Sequence, residues 1–279
     1  MKVLKAAIVI PVYKKIVDDA EERSLQQCLK VLKNHPVFFA CARSLDTAYY
    51  RELCEKSNHN SFSFITFDDY YFQSIPGYCR LLLIDRFYRA FKQYDYMLLY
   101  QPDAWVFRDE LMEWCNKGFD YVGAPWFIGQ DKSTPESGFM EYSGNGGFSL
   151  RKISSFRKVI HTYKIIKPPA EIWKEYASMG FLKRLIRLPL IVMRMLGWKN
   201  NSIYARNIYP LNEDNYWAVL AHKVRPAFKA AKAEEAISFA FEHHPAKMLE
   251  LNHNRLPFGC HAWLKLDYDF WKPYLISSE

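Results

Sequence analysis

The sequence predicts an α/β fold, with a mostly parallel central sheet flanked by helices. Three observations point there. From Ala6 to Ala124, short β-rich apolar runs alternate with helical-period segments, in the order β-α-β-α-β-α-β. The first run, Ala6–Val12, is apolar almost without interruption, as a central parallel strand requires. Half of the 279 residues are hydrophobic and 24% are charged, which excludes disorder, collagen and low-complexity polymers. The length exceeds the ~100–200 residues of a usual domain, but α/β folds reach about 250 in one piece. Residues 1–279 therefore read as one domain, with 165–205 as a basic amphipathic helical insertion toward the C-terminal side.

The elements follow in chain order. After Ala6–Val12, Leu25, Cys28, Leu29 and Leu32 share one helical face, and His35-Pro36 stops that helix. Val37–Ala42 and Phe62–Phe67 read as strands on either side of a short helix over Tyr50–Lys56. Gly77–Tyr94 carries one long helical pattern through Leu81, Leu82, Ile84, Phe87, Tyr88 and Phe91. Tyr96–Tyr100 is a strand running into Gln101-Pro102-Asp103. Glu110–Asn116 is helical and Tyr121–Ala124 a short strand. Ile128–Tyr142 is a polar loop, and Gly144-Asn145-Gly146-Gly147 opens Phe148-Ser149-Leu150. Helical pattern returns over Ser154–Tyr163, Lys167-Pro168-Pro169 breaks it, and Asn212–Ala221 is helical again.

Lys and Arg outnumber Asp and Glu, 38 to 30, for a net charge of +8. That balance favours anionic partners: nucleotides, phospholipid surfaces or nucleic acid. Aromatic residues make up 17%, which leaves rings for stacking on bases or sugars. The six cysteines show no C-x-x-C and no regular framework, so they read as reduced core residues of a cytoplasmic protein. The apolar run Ala6–Ile10 ends at Pro11, with Lys14 and Lys15 behind it and no small-residue cleavage site, so it reads as a strand rather than a secretory signal. No apolar stretch reaches the roughly 18 residues needed to cross a membrane.

Four segments bear chemistry, each with a structural alternative. Asp103 ends an apolar strand, where open α/β sheets bind ligands; it is a candidate ligand for a phosphate-bound cation or else a turn cap. Gly144-Asn145-Gly146-Gly147 permits positive φ and close backbone approach to a ligand, or is a plain turn. Glu213 and Asp214 open a helix, either as macrodipole partners or as a general base. His261 is a possible Mn²⁺ or Zn²⁺ ligand, or a satisfied core group. A zinc site through His243, His244 and His253 lacks the supporting Cys/His spacing.

Taken in order, these pieces resemble the GT-A glycosyltransferases, and more narrowly a bacterial glycosyltransferase-like family long described only as a domain of unknown function. The carrying residues are Ala7–Tyr13, Phe72–Tyr78, Tyr100–Ala104, Gly123–Trp126, Gly144–Arg151, Glu213-Asp214, Phe239–Glu242 and Pro257–Trp263. The resemblance implies a nucleotide-sugar donor, a UDP-sugar first, and a saccharide or lipid-linked acceptor in surface-polysaccharide (lipopolysaccharide-type) synthesis. It implies Mn²⁺ or Mg²⁺ on the donor diphosphate. The metal-binding D-x-D motif reads Gln101-Pro102-Asp103 here, so Asp103 keeps the second acid while Gln101 offers only a neutral oxygen to metal or ribose. His261 matches the histidine that completes the metal site. Pro11, Val12 and Tyr13 match the base cradle, and Gly146 and Gly147 line the donor-sugar side. Glu213 and Asp214 match the acidic position of inverting members, with Asp214 as the base and Glu213 toward the acceptor.

The segment Phe181–Trp198 places Lys183, Arg184, Arg187 and Arg194 on one arc and most of its apolar residues opposite, with Pro189 positioned to kink or split it. It reads as a helix on an anionic membrane surface, making the protein peripheral on the inner face of the cell membrane, or as an ordinary packed or oligomer-contact helix. Three rival readings of the whole chain stand beside glycosyl transfer. A sugar nucleotidyltransferase needs a glycine-rich loop where Val12-Tyr13-Lys14-Lys15 has none. A nucleic-acid-binding protein lacks any RRM, helix-turn-helix or zinc pattern, so no nucleic-acid partner is expected. A non-catalytic GT-A-like module is suggested by Gln101.

Overall fold

The computed structural model describes residues 3–276. Nine strands are found among them: β1 (Ala6–Val12), β2 (Val37–Ala42), β3 (Phe62–Phe67), β4 (Tyr96–Tyr100), β5 (Ala104–Val106), β6 (Tyr121–Val122), β7 (Phe148–Lys152), β8 (Ala240–Phe241) and β9 (Gly259–His261). The main sheet runs β3-β2-β1-β4-β7-β6. Its β3-β2-β1-β4 half is parallel, while β7 pairs antiparallel with both β4 and β6. The α/β architecture predicted from the sequence is present.

Alternation along the strands builds a core on each face. Ile8, Ile10, Leu98 and Tyr100 pack on one side with Leu25, Cys28 and Leu29 of the helix Asp19–Val31. Val9, Met97 and Leu99 pack on the other with Phe87, Phe156 and Trp217. All seven residues of β1 are buried, which explains its unbroken apolar run. The helix Asp19–Val31 starts at an Asp18–Glu21 capping box, which satisfies its first free N–H groups.

The single helix expected over Gly77–Tyr94 is instead two, Ile75–Leu81 and Asp85–Arg89, with Ile84 extended between them. The break releases the Leu82 carbonyl, which accepts from Tyr88 Oη at 2.8 Å and from Trp217 Nε1 at 3.3 Å. Two buried aromatic donors thus replace the lost helical bond. Asn212–Ala221 also departs from plain α-helix: Glu213–Asn215 passes into a π-helical stretch over Tyr216–Leu220. Such stretches often mark functional positions.

A second sheet, β5-β9-β8, escaped the sequence reading because its strands have only two or three residues. Its β5–β9 ladder pairs Ala104 with His261, and Ala262 N–H donates to the Asp103 carbonyl at 2.9 Å. That pairing brings the two ends of the chemistry together.

Residues 165–205 leave and re-enter side by side. Ile165 bridges Asn201, and Asn200 Nδ2 donates to the Lys167 carbonyl at 2.9 Å. The excursion holds helices Pro169–Glu175, Phe181–Met195 and Ser202–Asn207. Pro189 does not split the second of them; the helix runs through it. Among the described residues, no helix is long and apolar enough to cross a membrane.

Candidate functional site

Parallel β1 and β4 end at the same edge of the sheet, as their register requires. There a cleft of about 450 Å³ opens, lined by Pro11, Tyr13, Ser74, Tyr78, Asp103 and Lys265 among others. Ligands of open α/β sheets bind at such carboxyl ends. Tyr13 is 61% exposed, with its ring on the cleft wall. Val12, one residue earlier, points the other way into the core and is 1% exposed, so its side chain does not join the cradle. Strand alternation separates the two.

His261 is the hub. Its Nε2 lies 3.1 Å from Asp103 Oδ1 and 3.2 Å from Gln101 Oε1. On the other nitrogen, Nδ1 lies 2.9 Å from Glu242 Oε1. The Gln101 amide nitrogen donates to Tyr78 Oη at 3.1 Å, which turns its oxygen toward the ring. Lys265 Nζ sits 2.8 Å from the second oxygen of Asp103. Burial alone would lower the His261 pKa, but carboxylates on both sides outweigh it and hold the ring at about 10. Burial likewise pushes Asp103 up, yet His261 and Lys265 carry it well below the usual carboxylate range.

The donor set suits a hard or borderline divalent cation. Adjacent corners of an octahedral site with ~2.1 Å bonds lie about 3 Å apart, close to the spacing of these oxygens from Nε2. Glu242 behind Nδ1 would then fix ring orientation as carboxylates do for metal-bound histidines. Binding through Nε2 would displace its proton. Among the described residues no group of three or more His, Cys, Asp or Glu side chains forms a cage. The protein thus offers one carboxylate, one imidazole and one amide oxygen, a set that needs a ligand such as a diphosphate to complete it.

The Gly144–Gly147 loop forms the next wall. None of these glycines has positive φ, so conformational freedom is not their use here. Close approach is. A Cβ on Gly147 would overlap the His261 ring, and one on Gly146 would stand 2.9 Å from Glu213 Oε1. Asn145 shapes the loop from within: its Oδ1 accepts from the N–H groups of Gly147 and Phe148. Gln101 N–H donates to the Gly147 carbonyl at 2.7 Å, which ties the loop to the end of β4.

Glu213 and Asp214 are adjacent in sequence and differ in surroundings. Glu213 is 2% exposed, and both its oxygens accept from Arg151, at 2.8 and 3.0 Å. Burial pushes its carboxyl up to about 7, and the Arg151 guanidinium pulls against that. Its oxygens are engaged, so an acceptor sugar would have to displace a buried arginine to reach them. This is at odds with the contact to acceptor expected from the sequence. Asp214 is half-buried; its Oδ2 accepts from Gly146 N–H at 3.2 Å and its Oδ1 from Asn215 N–H at 2.7 Å. Burial raises its pKa, helped by the charge of Glu242.

The structure therefore brings together Pro11, Tyr13, Gln101, Asp103, Gly146, Gly147, Asp214 and His261. Sequence reasoning gave no role to Tyr78, Arg151, Asn145 or Glu242, though each lies in a segment it singled out, and it passed over Lys265. Position 265 carried no motif; only the turn after β9 delivers its ammonium to Asp103. The six cysteines are all free thiols, five of them buried.

A model of the family described as "Protein of unknown function (DUF5672)" matches residues 61–261. A search of curated proteins finds no match. Among solved structures, the chain is similar to the apo glycosyltransferase GlyE of Streptococcus pneumoniae, at 11% identity over 98% of this chain and 60% of that one, with a TM-score of 0.48. It is similar to core-mannan synthase A of Aspergillus fumigatus in its Mn/GDP form, at 12% identity over 76% and 71%, TM-score 0.40. It is also similar to the Pyrobaculum calidifontis mannosyltransferase PcManGT in complex with GDP-Man and Mn²⁺, at 12% identity over 56% and 46%, TM-score 0.38. The matched region thus spans less than two thirds of the GlyE and PcManGT chains.

Three variants test this geometry. Arg151→Met leaves the Glu213 carboxyl buried without its partner, so urea unfolding near pH 8 should lose about 3–5 kcal/mol, while Arg151→Met with Glu213→Met should recover most of it. A single-variant loss under about 1 kcal/mol would show that the pair is not buried. Gly147→Ala pushes His261 away from Asp103. The His261 imidazole resonances in NMR should shift while the far-UV circular dichroism spectrum stays unchanged.

Proposed function

This chain belongs to the family of proteins of unknown function DUF5672, and we propose that it is a GT-A-like glycosyltransferase acting on a nucleotide-diphosphate sugar. One observation supports this reading most. Asp103 and His261, far apart in sequence, meet 3.1 Å apart at the carboxyl end of parallel β4, on the wall of a nucleotide-sized cleft. The donor is a UDP-sugar, with Pro11 and the exposed Tyr13 ring flanking the base. The transferred group is a hexosyl unit. The acceptor is a glycan or lipid-linked saccharide of bacterial surface polysaccharide, met at the cytoplasmic face.

Asp103 and His261, with the Gln101 amide oxygen, would hold Mn²⁺ or Mg²⁺. When bound, the metal supplies positive charge against the leaving diphosphate. Lys265 adds a fixed ammonium at the same point, where charge grows as the glycosidic bond breaks. Glu242 and Tyr78 keep His261 and Gln101 turned inward. Asp214 takes the proton of the acceptor hydroxyl as the new bond forms; burial has raised its basicity for that task. Glu213, pinned by Arg151, fixes the start of the helix that carries Asp214. One base and direct displacement invert the anomeric centre. A sugar nucleotidyltransferase would instead present a glycine-rich phosphate loop after β1, where Tyr13-Lys14-Lys15 stands.

A thermal-shift panel of nucleotide sugars with Mn²⁺ should raise the melting temperature for at least one UDP-sugar, and Asp103→Ala should abolish the shift. No stabilisation by any nucleoside diphosphate would remove the donor site. Asp214→Asn should keep the donor shift and lower transfer, or donor hydrolysis, by about 10²–10⁴-fold. In the parent, the rate should fall as pH drops through the raised Asp214 pKa, because the protonated acid cannot accept a proton. That limb should vanish in the variant's residual rate. An unchanged pH profile would assign the base elsewhere.

A further inference from the structure

The helix Phe181–Met195 is amphipathic, but it is inside-out relative to the protein beneath it. Its one buried residue is Ile191, which packs on Ile172 and Tyr176. At about 100° per residue, the positions opposite Ile191 are Leu182, Leu185, Ile186, Pro189, Met193 and Leu196. All but Pro189 are large apolar side chains between 45% and 80% exposed. The arginines turn the other way. Arg184 donates to the carbonyls of Ala177 and Met179 at 2.6 and 3.2 Å. Arg194 reaches Glu175 at 2.7 Å and Tyr176 Oη at 3.0 Å. A water-facing helix of a globular protein shows the reverse orientation. Of the basic arc read from the sequence, Arg184 and Arg194 serve the helix's own attachment. Trp173 and Trp198 stand exposed on the same excursion.

We propose that this apolar stripe lies in the headgroup–acyl boundary of an anionic lipid bilayer. Charge complementarity selects that occupant. Residues 165–205 carry seven Lys and Arg against two Glu, Glu171 and Glu175, so this excursion accounts for +5 of the net +8. Lys183 and Arg187 remain exposed on the helix, on its basic side, with stems long enough to reach phosphate headgroups while the leucines insert. Anionic leaflets attract each such residue near the surface. A second copy docking through the same face would set this positive excess against itself, since a twofold contact uses one patch twice. An exposed tryptophan pair fits the lipid–water interface, where amphipathic rings collect. This assignment does not depend on glycosyl transfer.

Vesicle flotation of the full chain tests it. The protein should float with vesicles of three parts phosphatidylcholine to one part phosphatidylglycerol, far less with phosphatidylcholine alone, and less as salt rises. Leu182→Asp with Ile186→Asp should cut the bound fraction by at least about tenfold, with the melting temperature unchanged because both residues are exposed. Lys183→Glu with Arg187→Glu should erase the preference for anionic vesicles. The proposal is overturned if the parent protein stays with the unbound fraction, or if the Asp variant floats as well as the parent. It is equally overturned if light scattering shows a dimer that the Asp variant dissociates while vesicles bind neither form; the stripe would then face a second copy.

Discussion

The His261 imidazole, with a carboxylate on each nitrogen, joins three segments that lie far apart in the sequence. Asp103 arrives from the turn between β4 and β5, Glu242 from the end of β8, and His261 from β9. The short second sheet exists around this junction: β5 and β8 flank β9, which puts both carboxylates beside the ring. Because the ring fills the space above Gly147, the glycine loop must follow its contour. The loop in turn sets where Asp214 can sit, through the Gly146 N–H. Cleft, loop and acid are therefore positioned by one buried electrostatic contact.

A second buried contact supports the opposite wall. Arg151 extends from β7 beneath the loop and binds Glu213 with two hydrogen bonds, while its guanidinium also meets Tyr88 Oη at 3.2 Å. A buried ion pair is weak evidence for stability, since desolvation offsets much of the attraction. Its value here is positional. The bidentate fork fixes the direction of the helix start, and the π-helical turn after it packs Tyr216 and Trp217 into the core. Among the described residues Asp214 has no ion-pair partner, unlike Glu213, and burial raises its pKa.

Much of this was legible in the sequence. Apolar runs gave β1 to β4 their full bounds: β1, β2 and β4 because they are buried almost throughout, and β3, at the sheet edge, because its β-rich aromatic run stands out. Asp103 at a strand end, the glycine loop and His261 stood out as segments. Contacts made across distance were not legible. No local pattern says that Glu242 faces His261 or that Arg151 meets Glu213, since those pairings come from strand order. The Gly77–Tyr94 pattern misled for a similar reason: its periodicity continues through Ile84, but Tyr88 and Trp217 stabilise a break by capturing the Leu82 carbonyl. Val12 misled through its neighbours, as strand alternation turns it away from the cleft that Pro11 and Tyr13 line. The helix Phe181–Met195 showed its two faces in the sequence but not which of them the protein would cover.

The central claim is that Asp103 and His261 grip a diphosphate through a divalent cation. A crystal grown with UDP and Mn²⁺, measured at the manganese absorption edge, tests it most directly. The account predicts an anomalous peak within bonding distance of Asp103 Oδ1 and His261 Nε2, with the diphosphate completing its shell and the uracil against Tyr13. A nucleotide seated in this cleft with no peak between those two side chains, or a peak bound elsewhere on the protein, would contradict it.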